Sequence, residues 1–220
     1  MKILAIDTAT ERCSVALRLD GQVFERSVET PRGHADLVLP MVTELLNEAG
    51  IALASLDGIA YGRGPGGFTG VRIAIGVVQG LALGADLPTV GVSDLAAVAV
   101  QVATPEARVL VCMDARMNEV YWGEFVGDEA WGVTAIGIEH VGAASSVEPQ
   151  RAPDLLAGTG FRAFPELAVR YPGRPLHHLL PLASSIALLG EPLLRQGQGV
   201  SAEQAQPVYL RDNVAVAKKP

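Results

Sequence analysis

Cysteine is scarce in this chain. Cys13 and Cys112 are the only two in 220 residues, and neither falls in a C-x-x-C or Cys/His spacing. That excludes a disulfide framework and a zinc-finger-type site, and it makes a reducing cytoplasm the simplest expected home. Neither thiol has an identifiable base beside it in sequence, so both read as structural. Positive charge is also short. Lys and Arg total 17 against 24 Asp and Glu, for a net charge of −7. A broad nucleic-acid footprint normally shows as a basic face, which this balance argues against; a local patch from Arg162, Arg170 and Arg174 stays open. Long apolar runs are missing too. MKILAIDTATERC meets an acid at Asp7, too early for a signal peptide, and VRIAIGVVQGLALGA (71–85) carries Arg72 and Gln79 and is expected to fall short of a membrane span. The four histidines (His34, His140, His177, His178) are scattered, and the adjacent pair cannot share a helix face; each reads as a surface or hydrogen-bonded residue. No G-x-S-x-G elbow is present for acyl chemistry.

What remains is a globular composition, 49% hydrophobic and 19% charged, long enough for one large domain or two small ones. KILAI ending at Asp7 reads as a buried strand, TATER as a polar turn, CSVALRL as an alternating strand, and Asp20-Gly21 as a hairpin turn into QVFERSV. Apolar residues at 37, 38, 41, 45 and 49 predict a helix that starts near Asp36, because Pro40 is tolerated only near a helix start, and that closes at Gly50. SLDGIAYG predicts a strand, 68–85 an apolar helix, PTVGVS a strand and DLAAVAVQVA a helix.

The opening then recurs. ILAIDTATERCSVALRL and VLVCMDARMNEVYWGEFV share an apolar strand, an Asp, a polar turn and an alternating strand. Asp7 corresponds to Asp114 and Ser14 to Tyr121. Such a repeat suggests duplication of one α/β unit, with halves at 1–100 and 101–220 and a C-terminal segment that can return to the first. Two halves that each open on a hairpin with Asp in its first turn describe the actin-like ATPase architecture, in which the hairpins hold phosphates and Mg²⁺. Asp7 and Asp114 are then a candidate pair across a cleft, with simple turn capping as the competing reading.

YGRGPGGFTGVRI (61–73) bears on the same question. Gly62, Gly64 and Gly67 satisfy G-x-G-x-x-G, the pattern of a dinucleotide cradle. No Lys follows as in a P-loop, and Asp86, at the spacing of a ribose-binding acid, precedes a strand instead of ending one. What survives is a strand-to-helix turn with positive-φ glycines, Thr69 as N-terminal cap and Arg72 in the first turn, still able to attract an anion. Asp7, Thr8, Asp114, Gly64, Gly66, Gly67, Thr69 and Arg72 are the candidate phosphate neighbourhood.

Four stretches, LAIDTATERCSVAL, RGHADLVLP, GRGPGGFTGVRIAIGVVQGLA and PVYLRDNVA, together with MDARMNEVYWGEF, resemble the TsaB (YeaZ) family in order and across nearly the whole chain. The resemblance implies the actin-like (ASKHA, ribonuclease H-like) fold. It also implies a non-catalytic, dimerization-type subunit of the bacterial complex that forms N6-threonylcarbamoyladenosine at position 37 of tRNAs reading codons that begin with A. The implied partners are a catalytic paralog, TsaD, and an ATPase, TsaE, with a homodimer when the chain is alone, tRNA met only through the complex and no membrane contact. The implied nucleotide is ATP or ADP with Mg²⁺ at the complex interface, with none firmly held by this chain. The paralog carries V-x-H-L-E-G-H, whose two histidines share a helix face and hold a metal. Here the similar stretch is VSDLAAVA, with Asp94, Ala96 and Val98 in place of His, Glu and His, so that site cannot form.

A scaffold needs an exposed apolar face. The two apolar helices are the candidates, with Leu37, Met41 and Leu45 on the first and Val71, Ile75 and Val78 on the second, packing as a four-helix contact. Gly70, Gly76, Gly80 and Gly84 weaken the second helix by about 1 kcal/mol each relative to alanine, which suggests close packing on more than one side. The alternatives are an actin-fold phosphotransferase, a dinucleotide oxidoreductase and a glycopeptidase-like enzyme, the last disfavoured by the missing histidines.

Overall fold

The computed structural model describes residues 1–211; the last part of PVYLRDNVA lies outside them. The first half runs β1 (Lys2–Asp7), β2 (Arg12–Leu19), β3 (Gln22–Glu29), α1 (His34–Ala49), β4 (Gly58–Gly62), α2 (Phe68–Ala85), β5 (Thr89–Val92) and α3 (Asp94–Ala99). The second runs β6 (Arg108–Asp114), β7 (Glu119–Asp128), β8 (Gly132–Ala143), β9 (Leu155–Ala157), α4 (Gly160–Ala163), α5 (Pro165–Val169), β10 (Leu176–His177) and α6 (Ala183–Arg195). The first sheet has the order β3-β2-β1-β4-β5 and the second β8-β7-β6-β9-β10, the same order in duplicate. In each, an antiparallel meander is extended by two parallel strands. This is the duplicated α/β, actin-like plan.

The two hairpins differ in one respect from the sequence expectation. In the first, Asp7 lies opposite Ser14, but in the second Asp114 lies opposite Val120 and Tyr121 faces Met113. The second turn is one residue tighter because Arg116, Met117 and Asn118 all take positive φ (61°, 54° and 61°). With a side-chain period of two, a one-residue slip turns the equivalent position to the other face.

The halves exchange helices. α6, from the second half, packs on β1, β2, β4 and β5, while α3, from the first, packs on β6, β7 and β8. Ile3, Ala60, Val92, Leu95, Val98, Val111, Phe125 and Ile186 form one apolar core between the sheets. A second core lies beyond the first sheet, under α1 and α2. Residues 200–208 also lie on the first half: Val200 pairs with Thr89, and Ala202 and Ala205 join the second core.

α1 starts at His34, two residues before the expected start, and accommodates Pro40 within it; Gly50 closes it at φ 66°, as the sequence predicts. α2 is eighteen residues long with a mean hydropathy of 1.5, so by length and composition it does reach a membrane span, contrary to the expectation for 71–85. One face, Val71, Ala74, Ile75, Val78 and Ala82, is buried in the chain's own core.

Candidate functional site

The two Asp-bearing turns open on a cleft of ≈ 960 Å³ between the halves. Thr8, Gly66, Gly67 and Thr69 line one wall and Asp114 the other. Asp7, Gly64 and Arg72 do not line it. Asp114 accepts hydrogen bonds from its own turn, from the Arg116 backbone N–H (2.8 Å) and guanidinium (3.1 Å), and its backbone N–H donates to Thr159 Oγ1 (3.2 Å). This matches the turn-capping reading.

Asp7 is wholly buried, and its partner is Asp94 rather than Asp114. Asp7 Oδ1 accepts from the Ala9 N–H (2.9 Å), and Asp94 Oδ2 accepts from the Gly64 N–H (2.6 Å). The remaining oxygens, Asp7 Oδ2 and Asp94 Oδ1, are buried without a hydrogen-bond partner among the described residues. Both carboxyls press against Gly62, where a Cβ would come within 2.5 Å of Asp94 and 2.6 Å of Asp7. Burial raises the Asp94 carboxyl well above the usual carboxylate range, and the adjacent Asp7 charge adds to it. Burial raises Asp7 as well, offset by the Ala9 N–H and by Asp94. Two buried carboxyls this close resist carrying two charges, which favours one shared proton between them, with the stronger upward push on Asp94. Cys13 lies near the pair; burial, and then the Asp7 charge, push its thiol up to about 11. A buried acid committed in this way is not presented to a metal in the cleft.

The glycine loop is explained by the turn it covers. Gly67 N–H donates to Ala9 O (2.7 Å) and Thr8 Oγ1 donates to Gly70 O (2.7 Å). A Cβ at Gly66 would lie 2.6 Å from Ala9 O, and one at Gly70 would overlap Thr8 O. Gly66 and Gly70 therefore let two backbones meet, the loop and the Asp7 turn, which accounts for their lack of a side chain. Gly64 takes positive φ (96°), but Gly62, Gly66 and Gly67 do not. Thr69 does not cap α2: the N-cap is Gly67, without a side-chain bond, because the helix begins at Phe68, two residues earlier than a Thr69 cap requires. Arg72 stacks on the Phe68 ring at 3.3 Å, with Tyr209 beyond at 5.2 Å, and does not line the cleft. His34 Nε2 meets Thr10 O at 2.9 Å, pinning the same turn from α1.

The expected partner-facing side chains need correction. Met41, Leu45, Val71, Ile75 and Val78 are buried in the chain's own core, and only Leu37 is partly exposed. Apolar side chains spaced along a helix go first to the sheet beneath. The opposite face is what stays open: Gly76, Gly80 and Gly84 have free space around a would-be Cβ, beside exposed Leu83 (68%) and, on α1, Leu39 (48%). The sequence did flag these glycines, but the apolar stripe was the louder signal. In sequence, Asp94 stands out only as a missing histidine, and Tyr209 and Arg211 only as part of a resembling stretch.

Comparison with known proteins agrees with this geometry. The family model described as TsaD, tRNA N6-adenosine threonylcarbamoyltransferase, matches residues 28–219. The tRNA threonylcarbamoyladenosine biosynthesis protein TsaB of Escherichia coli is 43% identical, covering 100% of this chain and 99% of the relative. The protein of the same name from Haemophilus influenzae is 36% identical, covering 100% and 98%. Among solved structures, a Pseudomonas aeruginosa protein described as uncharacterized and similar to peptidase YEAZ superposes with a TM-score of 0.86 at 46% identity, covering 96% of this chain and 99% of that one. YeaZ from the same organism gives 0.84 at 44%, covering 95% and 99%. In sequence, along the full chain, and in its duplicated fold, this chain belongs to the TsaB (YeaZ) family.

Proposed function

We propose that this chain is a non-catalytic scaffold and activating subunit of the machinery that forms N6-threonylcarbamoyladenosine in tRNA, working with a TsaD-like catalytic paralog and a TsaE-like ATPase. The observation that carries this is α3. Where the paralog places two metal-binding histidines, this chain has Asp94, committed to Asp7 and Gly64, and Val98, fully buried in the core. The helix that would hold the metal serves as packing between the halves. The names borne by the full-length relatives support the pathway.

The partner surface in this reading is the open face of α1 and α2, centred on Gly76, Gly80, Leu83 and Gly84, where small residues let another helix approach closely. The same face serves a homodimer when the chain is alone. ATP or ADP with Mg²⁺ belongs at the interface with the partners, since Asp7 is withdrawn beneath its turn. The test is in vitro tRNA modification by the catalytic paralog and the ATPase, with and without this chain. Modification that depends on the chain supports the reading, and equal modification without it refutes it. A second reading, an actin-fold phosphotransferase, draws on the size of the cleft. Calorimetric titration of the isolated chain with ATP and Mg²⁺ separates the two, because tight binding with turnover favours the enzyme.

A further inference from the structure

The segment after α6 spans the mouth of the cleft. On the first half it is held by buried and backbone contacts: Val200 pairs with Thr89, Gln79 donates to Ala205 O (3.0 Å), and Val208 N–H donates to Arg63 O (2.8 Å). Tyr209 stacks on Phe68 at 6.0 Å. Two residues later, Arg211 is across the cleft. Its guanidinium pairs with Glu119, donates to Ala115 O (3.3 Å) and reaches Met117 Sδ (3.4 Å). These contacts straddle the three consecutive left-handed residues, Arg116, Met117 and Asn118, a conformation that non-glycine residues adopt reluctantly. The two ends differ in kind. One is a fixed backbone attachment, and the other, among the described residues, is one charged side chain, partly exposed, on a strained turn.

We propose that residues 207–211 form a strap across the cleft whose clasp, Arg211 on the β6–β7 turn, sets how far the two halves open. Release of the clasp frees the turn to leave its left-handed conformation and lets the walls separate, while the strap stays attached to the first half. Because the clasp is a partly exposed ion pair, salt weakens it. This inference stands whether or not the chain acts in tRNA modification.

The test uses the full chain with spin labels on Asp36→Cys and Arg162→Cys, exposed positions on opposite walls; the native Cys13 and Cys112 are buried. One short, narrow distance distribution is expected for the parent, shifting to longer distances in Arg211→Ala and Glu119→Gln. The parent is expected to shift the same way at about 1 M salt, where the Debye length is about 3 Å. Hydrogen exchange gives a second readout. The Ala115, Arg116 and Glu119 amides, bonded within the turn, are expected to exchange about tenfold or more faster in both variants at unchanged global stability. Arg174→Ala, which removes a surface pair with Asp154, serves as a charge control and should change nothing. If Arg211→Ala fails to fold, Glu119→Gln decides the matter alone. Distance distributions and turn exchange matching the parent in Glu119→Gln overturn the strap.

Discussion

Two glycines in α2, ten residues apart, are expected to respond to the same substitution with opposite sign. At Gly70 an alanine Cβ would fall closer than 3.0 Å to the backbone oxygen of Thr8, which cannot rotate aside. Gly→Ala in a helix gains about 1 kcal/mol. Overpacking a tight site costs about 1–3 kcal/mol, and displacing the Thr8 Oγ1–Gly70 O bond adds about 1 kcal/mol. The net is a destabilisation of about 1–3 kcal/mol. At Gly80 nothing lies within 4 Å of the new Cβ, so the helical gain stands alone and Gly80→Ala is stabilised by about 1 kcal/mol. Urea unfolding followed by circular dichroism measures both, as midpoint shifts in opposite directions at unchanged slope. A Gly70→Ala protein as stable as the parent would refute the close meeting of glycine loop and hairpin turn, and with it the explanation given for the glycines.

Other outcomes follow from the buried acids and the open helix face. Asp94 has a raised folded-state value, so the folded protein holds a proton the unfolded chain releases; the associated stability is full at low pH and is lost as pH rises through the folded value. Asp94→Asn keeps an acceptor for Gly64 N–H and a donor for Asp7 but cannot titrate, so its stability should fall less steeply with rising pH and exceed the parent's in mild alkali. Parallel stability-versus-pH curves for the two proteins would rule out the shared proton. Asp94→Ala, which strands the Gly64 N–H, should cost about 1–3 kcal/mol in denaturant titration. Leu83→Glu, at an exposed site, should alter stability by no more than about 0.5 kcal/mol yet abolish co-purification with the catalytic paralog. Retained co-purification would move the partner surface elsewhere. Leu45→Glu is unsuitable for the same purpose, because it buries a charge at a fully enclosed position and should unfold the chain.

Much of the fold was legible because the signals were local. The run to Asp7, the Asp20-Gly21 turn, the helix closing at Gly50 and the repeat at Asp114 each follow from strand alternation, turn chemistry or helix termination. The site was less legible, because its groups meet only through the fold. Asp94 lies far along the chain from Asp7, and no periodicity links them. The open faces of α1 and α2 are hidden from the sequence for a related reason. Hydrophobicity marks a buried stripe without saying whether the burying surface belongs to the same chain or to another. The register of the second hairpin depends on three left-handed residues, Arg116 to Asn118, of which only Asn118 is a type that favours that conformation.

The sequence by itself determined the duplicated α/β plan, the absence of the paralog's histidines and the family resemblance, since these rest on residue order and spacing. Tertiary structure alone decided that Asp7 is sealed against Asp94, that the glycine loop closes on the hairpin turn, and that the free face of α2 is its glycine side. Each of those depends on which surfaces meet once two sheets and two exchanged helices close around a common core. Burial then fixes the charge state, the close contacts and the exposure that function can use.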